Sequence, residues 1–210
     1  MDRVAGSFGF PFRRGSSRAW LIGIALILLL PLGAIPLLGY SVAVVRSAAA
    51  DPEAGPPPWR PLRRLLFDGL ALTAVLALLT APFAVLAIFL AGLAGHLLYH
   101  PGADPLLAGA LAWIVALAVA ALPWGILLLV LMPAATARFA ISGSARDLVD
   151  FPSSLSVVRR RFGDWNLVVV AIVTAWAIGF CGLGLVCLGV LPGLLYALLV
   201  SSHAAASLAE

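Results

Sequence analysis

LLAGALAWIVALAVAALPWGILLLVLMPAATA, residues 106–137, contains no Asp, Glu, Lys or Arg. A helix that crosses a bilayer core about 30 Å thick needs about 20 consecutive apolar residues, so this stretch reads as a transmembrane helix with length to spare. Trp20 to Val45, Leu70 to Gly95 and Leu167 to Val200 are equally free of charged side chains. The composition around them agrees: 63% hydrophobic residues, 10% charged and a mean hydropathy of +1.10 lie well outside the range of soluble domains.

Working outward, the first segment is 20–45, broken by Pro31, Gly33 and Pro36, and the second is 66–97, carrying Pro82. A short turn from His96 to Asp104 leads into the third, 106–137, with Pro123 inside it. The apolar run after residue 167 would be about 60 Å long as one helix, twice what the core needs, so it must fold back. Gly189 to Gly193, with Pro192, is the expected turn, which gives segments 167–188 and 190–207. The expected fold is all-α: a polytopic transmembrane bundle of about five segments over residues 20–208, preceded by a surface tail at 1–19.

The thirteen basic residues are all Arg. Nine of them, Arg46, Arg60, Arg63, Arg64, Arg138, Arg146 and Arg159 to Arg161, fall in the two connections 46–65 and 138–165, and the other two turns carry none. The positive-inside rule therefore puts those connections and the C-terminus in the cytoplasm, in a plasma membrane. Arg3, Arg13, Arg14 and Arg18 obey the rule only if the first segment dips in and returns as two half-helices. A single kinked crossing breaks the rule, yet proline kinks are common in membrane helices, and this path stands marginally first. Arg13, Arg14 and Arg18 followed by an apolar run also imitate a secretory signal, but the run is too long and Arg46 sits beside the small residues, so no cleavage is expected.

With a pI near 9.8 and no nucleic-acid motif, the charge points to anionic lipid headgroups, which guanidinium binds bidentately. Trp59 to Phe67 is two-faced at helical spacing, with Trp59, Leu62, Leu65 and Leu66 opposite Arg60, Arg63 and Arg64. A short interfacial amphipathic helix is the expectation, and these residues with Arg159, Arg160 and Arg161 are the candidate contacts for headgroups or a partner. Gly179, Gly182 and Gly184 form a small-residue surface suited to close helix packing.

Signs of chemistry are few. His96 and His100 share a helix face, but a metal needs three or four ligands and no HExxH or CxxC is present. His203 reads as interfacial, and Cys181 and Cys187, on different faces of an apolar span, read as buried free thiols. Asp68 and Asp164, each beside a glycine at a span entrance, read as helix-end caps or partners of nearby Arg. Ser142-Gly143-Ser144 lacks a base, and Gly182-Leu-Gly184 lacks the context of a phosphate loop. No catalytic residue, cofactor site or metal site is assigned, and enzyme activity is not expected. Basic and aromatic residues precede three spans in similar order, which interfacial preference explains more simply than duplication.

Phe10-Pro11-Phe12, Trp20, Pro36-Leu-Leu-Gly-Tyr40, Arg46, Pro57-Pro58-Trp59 and Leu66-Phe67-Asp68-Gly69-Leu70, taken in that order, resemble the uncharacterised, mainly archaeal membrane family catalogued as domain of unknown function 4013. Ala137-Arg138-Phe139-Ala140, Asp150-Phe151 and Gly163-Asp164-Trp165 are similar to that family's later signature. The loop from Ala49 to Pro56 is less acidic than the family pattern, and the segment after Gly143 is looser. The resemblance implies fold and membrane location and transfers no catalytic residue. Of the functions left, a non-enzymatic scaffold or accessory subunit with a membrane protein partner comes first. A permease or channel for a neutral or lipid-like solute, lined by proline-broken helices, is the alternative.

Overall fold

The computed structural model describes residues 2–98, 104–182 and 189–209. Tyr99, His100, Gly184 and Cys187, singled out above, lie outside those residues. The described chain is helical, with no strand. Four helices are long and apolar enough to cross a membrane: Leu62–Leu97, Pro105–Ser142, Phe162–Cys181 and Val190–Leu208. This is a multi-pass membrane protein. The chain divides into two compact units, Met1–Thr73 with Val130–Glu210, and Ala74–Leu129.

In the first unit a short α1 (Asp2–Gly6) and a 3-10 turn at Phe10–Phe12 lead into α2 (Ser16–Leu28) and α3 (Ala34–Ala50). The stretch 20–45 is divided between two helices and is not one continuous helix, because α2 stops where Pro31 denies it a donor. Gly33 then closes the turn so tightly that a Cβ there would sit 1.9 Å from the Leu26 carbonyl oxygen. Pro36 falls in the first turn of α3, where its missing N–H costs nothing. The two helices form a hairpin whose outer ends meet: Arg13, just before α2, donates to the carbonyls of Pro52 (2.5 Å) and Ala54 (3.2 Å), just after α3.

Next come α4 (Leu62–Leu98), α5 (Pro105–Ser142), α6 (Arg146–Val149), α7 (Phe151–Arg160), α8 (Phe162–Cys181) and α9 (Val190–Ala205). The stretch 59–67 is no separate surface helix: Trp59 to Pro61 precede α4, and from Leu62 nothing breaks the helical run, so Leu62 to Phe67 become its first turns. Asp68 consequently lies inside α4 and not at its entrance. The short amphipathic helix of the fold is instead α7, which the sequence reading left within an Arg-rich connection. It is started by Asp150, whose carboxylate accepts from the Ser153 backbone N–H.

Gly189 is the residue that opens α9, so Gly189 to Gly193 begin that helix. Pro192, expected in the turn, occupies the first turn of α9, and Gly193 faces Gly179 with its carbonyl oxygen 2.6 Å from where a Cβ would stand. Gly182 and Gly189 meet in the same way, which lets two apolar helices touch backbone to backbone. On the other side α9 receives the hairpin: Leu195 and Leu199 join Phe10, Ile27, Leu37, Tyr40, Val44 and Leu65 in one buried cluster. The thiol of Cys181 is exposed and not buried, since it ends α8 on the face away from this contact.

The second unit holds the remaining parts of α4 and α5. Ala112, Ala116 and Ala120, four residues apart, form the buried edge of α5, while Val75, Leu79, Ala87 and Ala91 are the buried residues of α4. Leu78, Val85, Phe89, Ile114, Leu122 and Ile126 are exposed, as side chains meeting acyl chains must be. Its polar link is internal: the Trp124 indole donates to Thr80 Oγ1 at 3.1 Å, and that hydroxyl donates to the Leu76 carbonyl.

Candidate functional site

Every arginine of the chain belongs by sequence to the first unit. There the described guanidinium groups divide into those that brace the fold and those left open. Arg46 of α3 makes the central brace. Its Nε donates to the Ala140 carbonyl of α5 at 2.8 Å, and its Nη2 reaches the Asp68 carboxylate of α4 at 3.0 Å, so one side chain joins three helices. Asp68 is buried, and Arg64, one turn away on α4, approaches it to 4.0 Å. Sequence reasoning expected Asp68 to pair with an Arg and did not find which one.

Beside this brace Tyr40 stacks flat on Trp59, with ring centroids 3.9 Å apart, and its hydroxyl donates to the Pro57 carbonyl. Trp59 thus packs the chain between α3 and α4 against the hairpin. Its indole N–H is buried with no acceptor among the described residues. The second brace is Arg138 near the end of α5. It contacts Asp147 at 2.7 Å and Asp150 at 2.9 Å, while the Ser142 hydroxyl also donates to Asp147. Together they turn the chain from α5 through α6 into α7. Asp150 is held below the usual carboxylate range by the hydrogen bond from Ser153 first and by Arg138 after it.

The chain ends close the same region. Ser7 Oγ lies 2.8 Å from His203 Nδ1, and His203 Nε2 lies 3.2 Å from the Pro52 carbonyl oxygen. A carbonyl only accepts, so Nε2 carries the proton and Nδ1 accepts from the serine hydroxyl. His203, expected at an interface, is buried under Phe10 at 4.5 Å. Trp20 donates to the Pro11 carbonyl, and Arg161 bridges Asp164 at 2.9 Å and the Ser207 carbonyl at 3.2 Å. The residues before α2 are therefore a folded part of the unit and not a loose tail.

Arg60, Arg63, Arg64, Arg159 and Arg160 remain exposed, as do Arg14, Arg18 and Arg146. Arg63 rests over the Phe67 ring, and Arg160 donates to Ser156 within α7. Arg159 and Arg160 end α7, where cations favour the helix dipole. Of the proposed packing glycines, Gly179 and Gly182 lie in the α8–α9 contact described above. Asp104 accepts from the Leu106 N–H and starts α5, and His96 is exposed at the end of α4. Among the described residues no group of three or more His, Cys, Asp or Glu side chains is placed to hold a metal ion.

The braces and the stack beside them are built largely from residues that carried the family resemblance: Tyr40, Arg46, Trp59, Asp68, Arg138, Ala140 and Asp150. A family model described as a protein of unknown function (DUF4013) matches residues 22–201. No curated protein and no solved structure matches the chain.

Proposed function

The chain belongs to the DUF4013 family of proteins of unknown function, and from that premise we propose that it is a non-enzymatic scaffold or accessory subunit of the plasma membrane. Its arginine-rich connections face the cytoplasm and supply the contact surface for anionic headgroups and for a membrane protein partner. The observation that carries this reading is the division of labour among the guanidinium groups. Arg13, Arg46, Arg138 and Arg161 are taken up by carbonyls and carboxylates of the fold, while Arg60, Arg63, Arg64, Arg159 and Arg160, like Arg14, Arg18 and Arg146, are left exposed. Exposed arginines have enough reach to pair bidentately with phosphate or carboxylate, and each contributes up to about 1 kcal/mol near an anionic surface.

The carboxylates that a proton or cation pathway would need serve other purposes. Asp68 pairs with Arg46, Asp164 with Arg161, and Asp147 and Asp150 with Arg138. The competing permease reading rests on proline-broken helices. Only the first segment is interrupted, since α4 and α5 run continuously through Pro82 and Pro123.

Mass spectrometry of the protein extracted with its native lipids separates the two. A stoichiometric protein partner that is lost when Arg60, Arg63 and Arg64 are replaced by Gln supports the scaffold reading. A retained solute with no protein partner overturns it in favour of transport.

A further inference from the structure

We infer that the hairpin of α2 and α3 enters the bilayer from the arginine-rich face, turns inside the hydrocarbon and leaves by the same face, so that its turn is a surface for lipid acyl chains. Three independent observations carry this.

The first is length. At 1.5 Å per residue the turn at Leu29 stands about 16 Å beyond Arg18, and Ala34 about 18 Å from Arg46, against a core of about 30 Å. Both arms start from arginine and from residues tied to one another, Arg13 to Pro52 and Ala54, so both ends of the hairpin lie on one side.

The second is side-chain chemistry. From Leu21 through Gly39 no side chain has a hydrogen-bonding group. Leu28, Leu29, Leu30 and Leu32 at the turn are 66%, 62%, 51% and 82% exposed. Turns that meet water are made from Gly, Asn, Asp, Ser and Pro, because the chain needs polar partners there. A turn carrying four exposed leucines is compatible with hydrocarbon and costly in water.

The third is the backbone. Irregular chain is tolerated in lipid only where its polar groups find partners inside the protein. Here the Leu29 N–H donates to the Ala25 and Leu26 carbonyls, Leu30 to Ile27, Gly33 to Leu29 and Ala34 to Pro31, all at 3.0–3.2 Å. Pro31 has no N–H to satisfy. Four N–H groups of the turn are thus bonded within it, and that of Leu32 makes no such bond.

The hairpin also packs on α9, with Gly23 seated against Leu195, so protein covers one flank and leaves the leucines of the turn to the lipid. This inference stands whether or not the exposed arginines bind a partner.

The test uses the full chain in membrane vesicles of both orientations, with Cys181 and Cys187 replaced by Ser, and single cysteines introduced as Ser17→Cys, Leu32→Cys and Glu53→Cys at exposed positions. A membrane-impermeant maleimide labels Ser17→Cys and Glu53→Cys from the same side. Leu32→Cys reacts at least tenfold more slowly from either side, with a permeant maleimide as with an impermeant one, because a thiol in hydrocarbon does not form the reactive thiolate. It reacts fully once the protein is denatured in detergent. A nitroxide at residue 32 relaxes with oxygen and not with an aqueous nickel chelate. Labelling of Leu32→Cys from the far side by the impermeant reagent overturns the inference by making the hairpin a double crossing. Labelling of Ser17→Cys and Glu53→Cys from opposite sides overturns it by restoring a single crossing.

Discussion

Gly39 of α3 and Gly69 of α4 cross with their backbones in contact. A Cβ on Gly39 would stand 1.8 Å from the Leu65 carbonyl oxygen, and one on Gly69 1.9 Å from that of Ile35. Neither neighbour is a flexible side chain that could swing aside. Gly39→Ala or Gly69→Ala therefore pushes the two helices apart, and with them the Arg46 brace one to two turns away. Overpacking of this kind costs about 2 kcal/mol or more. Thermal unfolding in detergent is expected to show a marked loss for either variant and almost none for Gly92→Ala, where a Cβ meets nothing within 4 Å. Equal behaviour of Gly39→Ala and Gly92→Ala would refute the close crossing.

The Arg46 brace has unequal arms. Arg46→Ala removes the pair with Asp68 and the bond to Ala140 together, leaving a carboxylate whose side chain is 11% exposed beside only the distant Arg64. Breaking a largely buried pair from one side is strongly destabilising, here about 2–3 kcal/mol because Arg46 retains partial solvent access. Asp68→Asn keeps an acceptor for the guanidinium and costs less. The order Arg46→Ala, then Asp68→Asn, then wild type is expected in denaturation midpoints. The same pair bears on function: Asp68→Asn and Asp164→Asn change stability alone in a scaffold, whereas a fold-intact loss of solute flux in either would support transport.

What the sequence disclosed and what it hid follow from the range of the interactions. The absence of charge over 106–137 and its counterparts is a local property, and it marked out four long apolar helices, although α5 runs past Ala137 to Ser142 and α8 begins at Phe162, ahead of Leu167. The break at Pro31 and Pro36 was equally visible, but its consequence was not, since a kinked helix and a hairpin share the same prolines. What decides between them is Arg13 meeting Pro52 and Ala54, contacts made across the intervening chain. The partner of Asp68 was hidden for the same reason: Arg46 and Ala140 come from other helices. The extent of α4 was misjudged because Arg60, Arg63 and Arg64 opposite leucines give the same pattern on a surface helix and on the protruding first turns of a span. Gly39 and Gly69 stood in the resemblance motifs, and only the packed structure gives them a physical reason.

The link between Ser7 and His203 joins residues near the two ends of the chain. His203→Ala removes the donor to the Pro52 carbonyl and the acceptor for Ser7, and it opens space under Phe10. Losing one buried hydrogen-bond partner costs about 1–3 kcal/mol, and the segment before α2 bears the effect. Limited proteolysis is expected to cut between residues 8 and 15 several-fold faster in His203→Ala, with a smaller increase in Ser7→Ala and none in Ser207→Ala. Unchanged cleavage in His203→Ala would mean that the N-terminal segment is held by its other contacts, among them Arg13 with Pro52 and Ala54 and Trp20 with Pro11.

Asp150 gives the fold a defined response to acid. Its folded-state pKa lies below the ordinary value of 3.8, through Ser153 first and Arg138 second. The unfolded chain therefore takes up the proton first as pH falls. The stabilisation is complete above pH 3.8 and is lost as pH drops through the depressed folded value. Below that range α7 loses its cap and its tether to Arg138 together, while α8 and α9, held by apolar and backbone contact, persist. Hydrogen exchange between pH 5 and pH 2.5, corrected for the intrinsic rate, is expected to show protection in α7 falling while that in α9 stays constant. Asp150→Asn separates the two supports. Asparagine still caps a helix, so α7 keeps part of its protection at pH 7, but without the ion pair that protection no longer varies with acid. An α7 in Asp150→Asn that still loosened with the wild-type acid profile would show that Asp150 is not the source of the acid response.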